Sequence, residues 1–333
     1  MRAPRNDASM TDTGPLFVSS GDLIADRRYK WALDHVAQGD LSGAADILAQ
    51  TVELVPRFAT AWFALGAIRD QLGDRDGAIA AFAQARDADP EDYHGARLQL
   101  ARLGAGETAP AMTETYVRRL FDQYGARYDA ALTERLNYRG PTLLHDAVET
   151  VMRATERRMR FGSMLDLGCG TGLGGATFRP YVDWLVGVDL SPAMIAQATT
   201  KGLYDRLVNA GLADFLTDEA GDKVLYHLVL AADVFVYVND LAPIIAGIAR
   251  VLAPDGLLAF TIETHAGDGV KLLPTLRYAH GEDYVRGVLG TAGLVPAHLA
   301  KAAVRSEKGV PVDSLVVVAQ PSTTMPRPIT SGG

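Results

Sequence analysis

The sequence predicts an α/β domain on a doubly wound, mostly parallel sheet closed by an antiparallel hairpin, preceded by a small all-α domain. Three observations carry this. An apolar run, Met164–Leu167, enters the glycine-rich loop Gly168–Gly172, and a second run ends on an acid, Asp189, about twenty positions further on. Helix-period and strand-period patterns alternate from residue 141 to residue 320. Ahead of residue 104 the chain repeats itself at an offset of 34, residue 25 falling on residue 59.

Taken in order, the first fifteen residues contain no apolar stretch of the kind a secretory signal needs, and residues 1–20 read as a disordered leader. Residues 21–104 hold the repeat. The offset pairs Ala32 with Gly66, Gly39 with Gly73, Asp40 with Asp74, Ala44 with Ala78, Leu48 with Phe82 and Pro56 with Pro90, and Trp62 and Leu65 precede the second copy's Gly66. This period and these positions resemble the tetratricopeptide repeat, a helix–turn–helix unit. Small residues suit the close approach of two helices, Gly-Asp suits the turn between them, and proline stops the second helix. A third copy begins near Tyr93 and stops at Gly104, enough for one capping helix. Two repeats and a cap fall short of the roughly three that usually bury a continuous core, so the array is expected to lean on the α/β domain or on a second subunit, as in a homodimer.

Residues 105–110 read as a linker, and 111–320 as the α/β domain. Tyr116–Leu136 is an amphipathic stretch carrying Tyr116, Phe121, Tyr124 and Tyr128, followed by Tyr138 and Pro141. Next come a helix over 141–160, a strand over 163–167, the glycine loop, a short helix to Arg179, and a strand over 183–189. Ser191-Pro192 opens a helix, a cap with proline at the first helical position. A strand over 207–213 ends at Asp214, and one over 226–232 ends at Asp233. Then follow a helix over 240–252, a strand over 256–263, a helix over 281–291 before Gly293, and strands over 296–305 and 312–320 joined by Lys308-Gly309. The Pro/Ser/Thr/Gly-rich residues 321–333 read as a disordered tail.

Composition narrows the function. A net charge of −8 and a pI near 5.4 argue against a general nucleic-acid binder. The longest apolar stretches, such as Leu228–Val238, are interrupted by charge and fall short of the ~20 residues a membrane span requires. The single cysteine, Cys169, cannot form an intrachain disulfide, which fits a reducing, cytoplasmic location. The seven histidines include no pair spaced for metal on one helix face, so no metal is expected.

The glycine loop carries the chemistry. Gly170-x-Gly172-x-x-Gly175 also fits a dinucleotide site, but there a pyrophosphate sits against the helix N-terminus, and the carboxylate of Asp166 would repel it. S-adenosylmethionine has no phosphate; its sulfonium and α-amino group suit an acid. The run Leu165–Gly172 resembles the first motif of class I S-adenosylmethionine-dependent methyltransferases, and Phe121–Asp129 is similar to the segment that leads into bacterial methyltransferases fused to tetratricopeptide repeats. The resemblance implies a Rossmann-like methyltransferase domain with S-adenosylmethionine as cofactor. Gly168, Gly170 and Gly172 would cradle the methionine and ribose, with Asp166 near the amino group. Asp189 would take the ribose hydroxyls, Leu190 and Met194 would pack on the adenine, and Asp214 would accept its exocyclic amine. Tyr124 and Tyr128 from a lid helix, Cys169 as a small filler in the loop, and Asp233 complete the expected cofactor set.

Leu228–Tyr237 corresponds to the fourth motif, beside the transferring methyl. It is not Asn/Asp-Pro-Pro-Tyr, which argues against planar nitrogens as acceptors. A base is needed only when the acceptor must lose a proton, and the candidates are Glu263, His265 and His280, with Arg277 and Tyr278 nearby in sequence. His227, where resembling enzymes carry an acid, is assigned no role. The expected function is methyl transfer to a protein-borne or carrier-bound acceptor recruited by the repeats. The alternative is a non-catalytic S-adenosylmethionine-binding scaffold, and nicotinamide chemistry is a distant third.

Overall fold

The computed structural model describes residues 17–108, 111–124, 138–307 and 309–322. They fall into two compact units, one running up to Leu120 and taking in Leu272–Arg277, the other holding Phe121–Lys271 and the chain from Tyr278 onward. The division lies inside the helix Glu114–Tyr124, not at the linker expected over 105–110.

The first unit is helical: α1 Leu23–Ala37, α2 Leu41–Leu54, α3 Ala59–Gln71, α4 Arg75–Ala88, α5 Ala96–Arg102 and, crossing the division, α6 Glu114–Tyr124. The repeat is visible in its turns. Gly39 and Gly73 both take φ +81, a left-handed conformation that any side chain would strain. The next residues, Asp40 and Asp74, cap α2 and α4 by accepting the N–H of Gly43 at 2.9 Å and of Gly77 at 3.0 Å. Where α3 meets α4, a methyl group on Gly66 would lie 2.8 Å from the Phe82 ring. The first copy solves the same contact with a larger small residue and a smaller partner, Ala32 and Leu48, both fully buried. The region after Tyr93 holds one short helix, α5. Leu272 and Leu276 pack on Leu98, Ala101 and Ala111, which is why their short segment counts with the helices.

The second unit continues with α7 Gly140–Ala154, β1 Phe161–Leu167, α8 Leu173–Phe178, β2 Val182–Asp189, α9 Pro192–Lys201 and β3 Arg206–Asn209. It goes on through α10 Leu212–Gly221, β4 Tyr226–Ala231, α11 Ala242–Val251, β5 Leu252–His265, β6 Val270–Leu272 and β7 Tyr278–Gly281. It ends with α12 Glu282–Thr291, β8 Leu294–Glu307 and β9 Val310–Pro321. Strands β3-β2-β1-β4-β5 are parallel, β9 lies antiparallel on β5, and β8 lies antiparallel on β9.

Residue alternation builds both faces. Met164, Leu185, Leu228, Leu230, Val316 and Val318 pack with Leu144, Val148 and Val151 of α7 on one side. Leu165, Leu167, Val229, Ala231, Val317 and Ala319 pack with α10, α11 and α12 on the other. The parallel strands therefore present their carboxyl ends at one edge, where ligands of doubly wound sheets bind.

Several boundaries differ from expectation. The helix expected over 141–160 stops at Ala154 and its strand starts at Phe161. The strand expected over 207–213 stops at Asn209, because Gly211 opens α10; Asp214 thus stands in a helix's first turn rather than at a strand tip. Strand β5 is longer at both ends than 256–263, and the loop expected after it contains β6 and β7, with Thr264 opposite His280 and His265 opposite Gly281. The closing hairpin is present but longer, with Glu307 opposite Val310.

Candidate functional site

The glycine loop leaves β1 through a chain of left-handed residues: Gly168 at φ +63, Gly170 at φ +54 and Gly172 at φ +94. Any residue with a Cβ would be strained at each. A methyl group on Gly168 would also lie 2.6 Å from Val234, whereas at Gly170 it would meet nothing within 4 Å, so the loop is open on one side only. Asp189, at the tip of β2, ties this loop to the next strand. Its carboxylate accepts the Gly170 N–H at 2.9 Å and the Ser191 N–H at 2.8 Å, and its carbonyl accepts from Asn209 Nδ2 at 2.9 Å. Burial pushes its carboxyl up to about 6 against the pull of the Ser191 and Gly170 amides.

Asp166 is 2 % exposed and accepts a hydrogen bond from the Tyr204 hydroxyl at 2.7 Å. Burial raises its carboxyl to about 7, with the Tyr204 hydroxyl and the Gly175 N–H pulling down and the charge of Asp189 pushing up. It lines a cleft of about 380 Å³, open mouth included, together with Tyr138, Gly168, Cys169, Gly170 and Asp233. None of the described residues lining this cleft is basic. Cys169 is 6 % exposed and burial holds its thiol well above the ordinary range, so it fills space as a neutral group.

Two adjacent residues of α6 reach over this edge. Asp122 accepts a hydrogen bond from the Ser191 hydroxyl at 2.6 Å, at the start of α9. The Phe121 ring stands edge-on to Tyr237 at 5.3 Å, in the 3-10 turn Phe235–Tyr237 beyond β4. Since β1 lies between β2 and β4, these contacts carry the end of α6 across the glycine loop. Tyr124 closes α6, and Tyr128 lies outside the described residues.

The remaining expected residues are placed unevenly. Leu190 follows Asp189 and its carbonyl accepts from Asn209 Nδ2 at 2.9 Å; Met194 is fully buried in α9, its N–H on the Ser191 hydroxyl at 3.2 Å. Asp214 is exposed on the first turn of α10, where a carboxylate favours the helix dipole. Asp233 does line the cleft. It holds φ +61, donates its N–H to Thr261 Oγ1 at 2.8 Å, and receives Arg305 Nη1 at 2.8 and 3.1 Å.

The three candidate bases are not brought together at the cleft. Glu263 is 2 % exposed and paired with Arg305, which also bonds Glu307 at 3.1 Å. His265 takes the Gly267 N–H on Nδ1 at 3.0 Å and approaches the Gly269 carbonyl with Nε2 at 3.3 Å, holding the turn after β5. His280 is fully buried, with Nε2 3.3 Å from the Asn239 carbonyl, and burial lowers its pKa to about 4, so it is neutral near pH 7. Arg277 and Tyr278 are buried, and His227 shares a hydrogen bond with Ser163 at 2.9 Å. Among the described residues no group of His, Cys, Asp and Glu could hold a metal, and no helix is long and apolar enough to cross a membrane.

Sequence reasoning missed Tyr204, Asn209 and Arg305, which lie outside the motifs and act only through the fold. Asp122 carries a signal in the sequence, since it is part of the Phe-Asp-x-Tyr run Phe121–Tyr124.

Residues 165–258 match the model of a methyltransferase domain, and residues 29–93 match the model of a tetratricopeptide repeat. The human methyltransferase-like protein 27 is 36% identical over 108 residues, 32% of this chain and 42% of that protein, so the chain spans less than half of that relative's length. Among solved structures, magnesium protoporphyrin IX methyltransferase from Synechocystis PCC 6803 with bound S-adenosylmethionine is similar at 18% identity, covering 63% of this chain and 97% of that one at a TM-score of 0.46. A S-adenosylmethionine-dependent methyltransferase from Clostridium acetobutylicum ATCC 824 is similar at 16% identity, covering 61% and 99% at a TM-score of 0.46. By its two family matches, this chain joins tetratricopeptide repeats to a methyltransferase domain.

Proposed function

We propose that the chain transfers a methyl group from S-adenosylmethionine to an acceptor that the repeats bring to it. The observation that carries this is the Asp189–Gly170 hydrogen bond, which joins both motif elements into one site beside the buried Asp166. Those residues fit the cofactor. The loop is open at Gly170, the cleft is acidic, and Asp189 retains acceptor capacity for ribose hydroxyls beyond the two amides it already takes. When bound, the cofactor supplies a methyl group activated by its sulfonium.

What the chain's residues contribute is position. Gly168, Gly170 and Gly172 let the backbone approach, Asp166 faces the cationic end, and Asp189 orients the ribose. Leu190, Met194 and Asp214 belong to the adenine side, Tyr124 and Tyr128 to the lid, and Asp233 to the wall nearest the acceptor. In-line displacement needs the acceptor held about 3–3.5 Å from the methyl, which is a positioning task. The acceptor is protein-borne or carrier-bound and docks on the repeats, and the site of action is the cytoplasm.

One observation favours a second reading. Glu263, His265 and His280 are each engaged elsewhere, so the cleft has none of the three bases assigned to it. Either the acceptor needs no base, or the chain is a scaffold that binds cofactor without turnover. Retaining partners of the full chain from a cell extract, identifying them by mass spectrometry and incubating with methyl-labelled S-adenosylmethionine separates the two. A labelled partner supports transfer, and cofactor binding with no labelled species supports the scaffold.

A further inference from the structure

Tyr204 stands between α9 and β3, outside every cofactor motif. Its neighbour fixes it: the Asp205 N–H donates to the Leu185 carbonyl at 2.9 Å, and the Asp205 carboxylate accepts the Leu185 N–H at 2.7 Å and Arg179 Nη1 at 2.6 Å. That clasp on β2 sets the Tyr204 ring beneath the glycine loop. Three glycines leave it the room. A methyl group on Gly172, Gly175 or Gly187 would lie 3.1, 2.5 or 2.8 Å from the Tyr204 side chain. The second of these explains Gly175, which a dinucleotide pattern would assign to helix packing.

The far end of the ring meets Asp166. The Tyr204 hydroxyl donates to that carboxylate at 2.7 Å, and the Gly175 N–H donates to it from the start of α8. We propose that Tyr204 is a positioning residue for the cofactor site: it fixes the Asp166 carboxylate beneath the glycine loop in the orientation that receives the cofactor's α-amino group. The proposal rests on the S-adenosylmethionine reading above. A donor to a carboxylate also favours its charged form, and the other groups facing Asp166 are the Asp189 carboxylate, the neutral Cys169 thiol and the Gly175 amide. Without the phenol, burial and Asp189 would hold a proton on Asp166 to higher pH.

The test uses the full chain, Tyr204→Phe and Asp166→Asn, titrated calorimetrically between about pH 6 and pH 8.5. One probe is S-adenosylhomocysteine, which has the amino group. The other is 5′-methylthioadenosine, which keeps the adenosine and lacks the amino acid. Tyr204→Phe should weaken S-adenosylhomocysteine roughly tenfold near pH 7, with part of the loss regained as pH rises, and leave 5′-methylthioadenosine unchanged. Asp166→Asn should weaken the first probe at every pH and, again, spare the second. Unchanged 5′-methylthioadenosine binding also reports that each variant is folded. Equal losses for both probes at every pH would make Tyr204 a packing residue and overturn the proposal, as would unchanged binding of S-adenosylhomocysteine. If the unaltered chain binds neither probe, the S-adenosylmethionine reading itself fails, an outcome distinct from both.

Discussion

The helical array and the α/β domain use aspartate in opposite ways. Asp40 and Asp74 sit one repeat apart, each about half exposed, and each caps a helix by accepting a glycine N–H. Asp166 and Asp189 are buried at strand ends and pushed up to about 7 and about 6 by that burial. The array does contain one comparable acid. Asp92 is 1 % exposed and raised to about 6 by burial, but it accepts the Ala96 N–H at 2.7 Å and the Arg97 N–H at 3.3 Å, so capping α5 accounts for it. Asp166 differs in lining a cleft. A buried acid that also faces an open cleft marks a place where an incoming charge completes the electrostatics, whereas a capping acid is already complete.

The contrast can be broken hardest at its glycines. Gly175→Val places branched carbons where a single Cβ already lies 2.5 Å from Tyr204, so the α/β domain should lose several kcal/mol and cofactor binding with it. Gly73→Ala in the array meets nothing within 4 Å and strains only φ +81, so it should cost about 1 kcal/mol and leave binding intact. Thermal unfolding and calorimetry of the two variants read both quantities.

Next in size is Asp189→Ala, which should weaken S-adenosylmethionine by about 2–4 kcal/mol through the loss of charge-assisted hydrogen bonds to the ribose. Its counterpart Asp74→Ala should cost about 0.5–2 kcal/mol of stability and change cofactor affinity not at all. Equal effects of the two on binding would erase the distinction drawn here.

Smaller again is the pH dependence of the free protein. The folded pKa values of Asp166 and Asp189 are raised, so these groups favour folding at acid pH, and that contribution is lost as pH rises through about 6 and about 7. The melting temperature without cofactor should fall from about pH 5 to about pH 8. Asp166→Asn should flatten part of that slope and, at the alkaline end, melt higher by a few degrees at about 1–2 kcal/mol. A slope unchanged in Asp166→Asn would mean the buried carboxylate carries no such cost.

Much of this was legible in local pattern. The repeat at offset 34 set the turns at Gly39 and Gly73, and the alternation in Leu228–Ala231 set both faces of β4, because each depends on near neighbours in sequence. Asp166, Gly168, Gly170 and Asp233 line one cleft at the sheet's carboxyl edge. One miss was local: Gly211 ended an apolar strand pattern and opened α10, which moved Asp214 onto a helix. The others came where a distant residue decides. Glu263 looked like a free base until β8 brought Arg305 against it, and no spacing in the chain connects those positions. Tyr204 was invisible for the same reason: its partners Gly175, Gly187 and Asp166 come from α8, β2 and β1.

The most direct test of the central claim is a calorimetric titration of the full chain with S-adenosylmethionine, and separately with NAD. The acidic cleft at Asp166 and the Asp189-tied glycine loop should bind S-adenosylmethionine at one site per chain and leave NAD unbound, because the pyrophosphate would face buried carboxylates. Tight NAD binding with no response to S-adenosylmethionine would contradict the account.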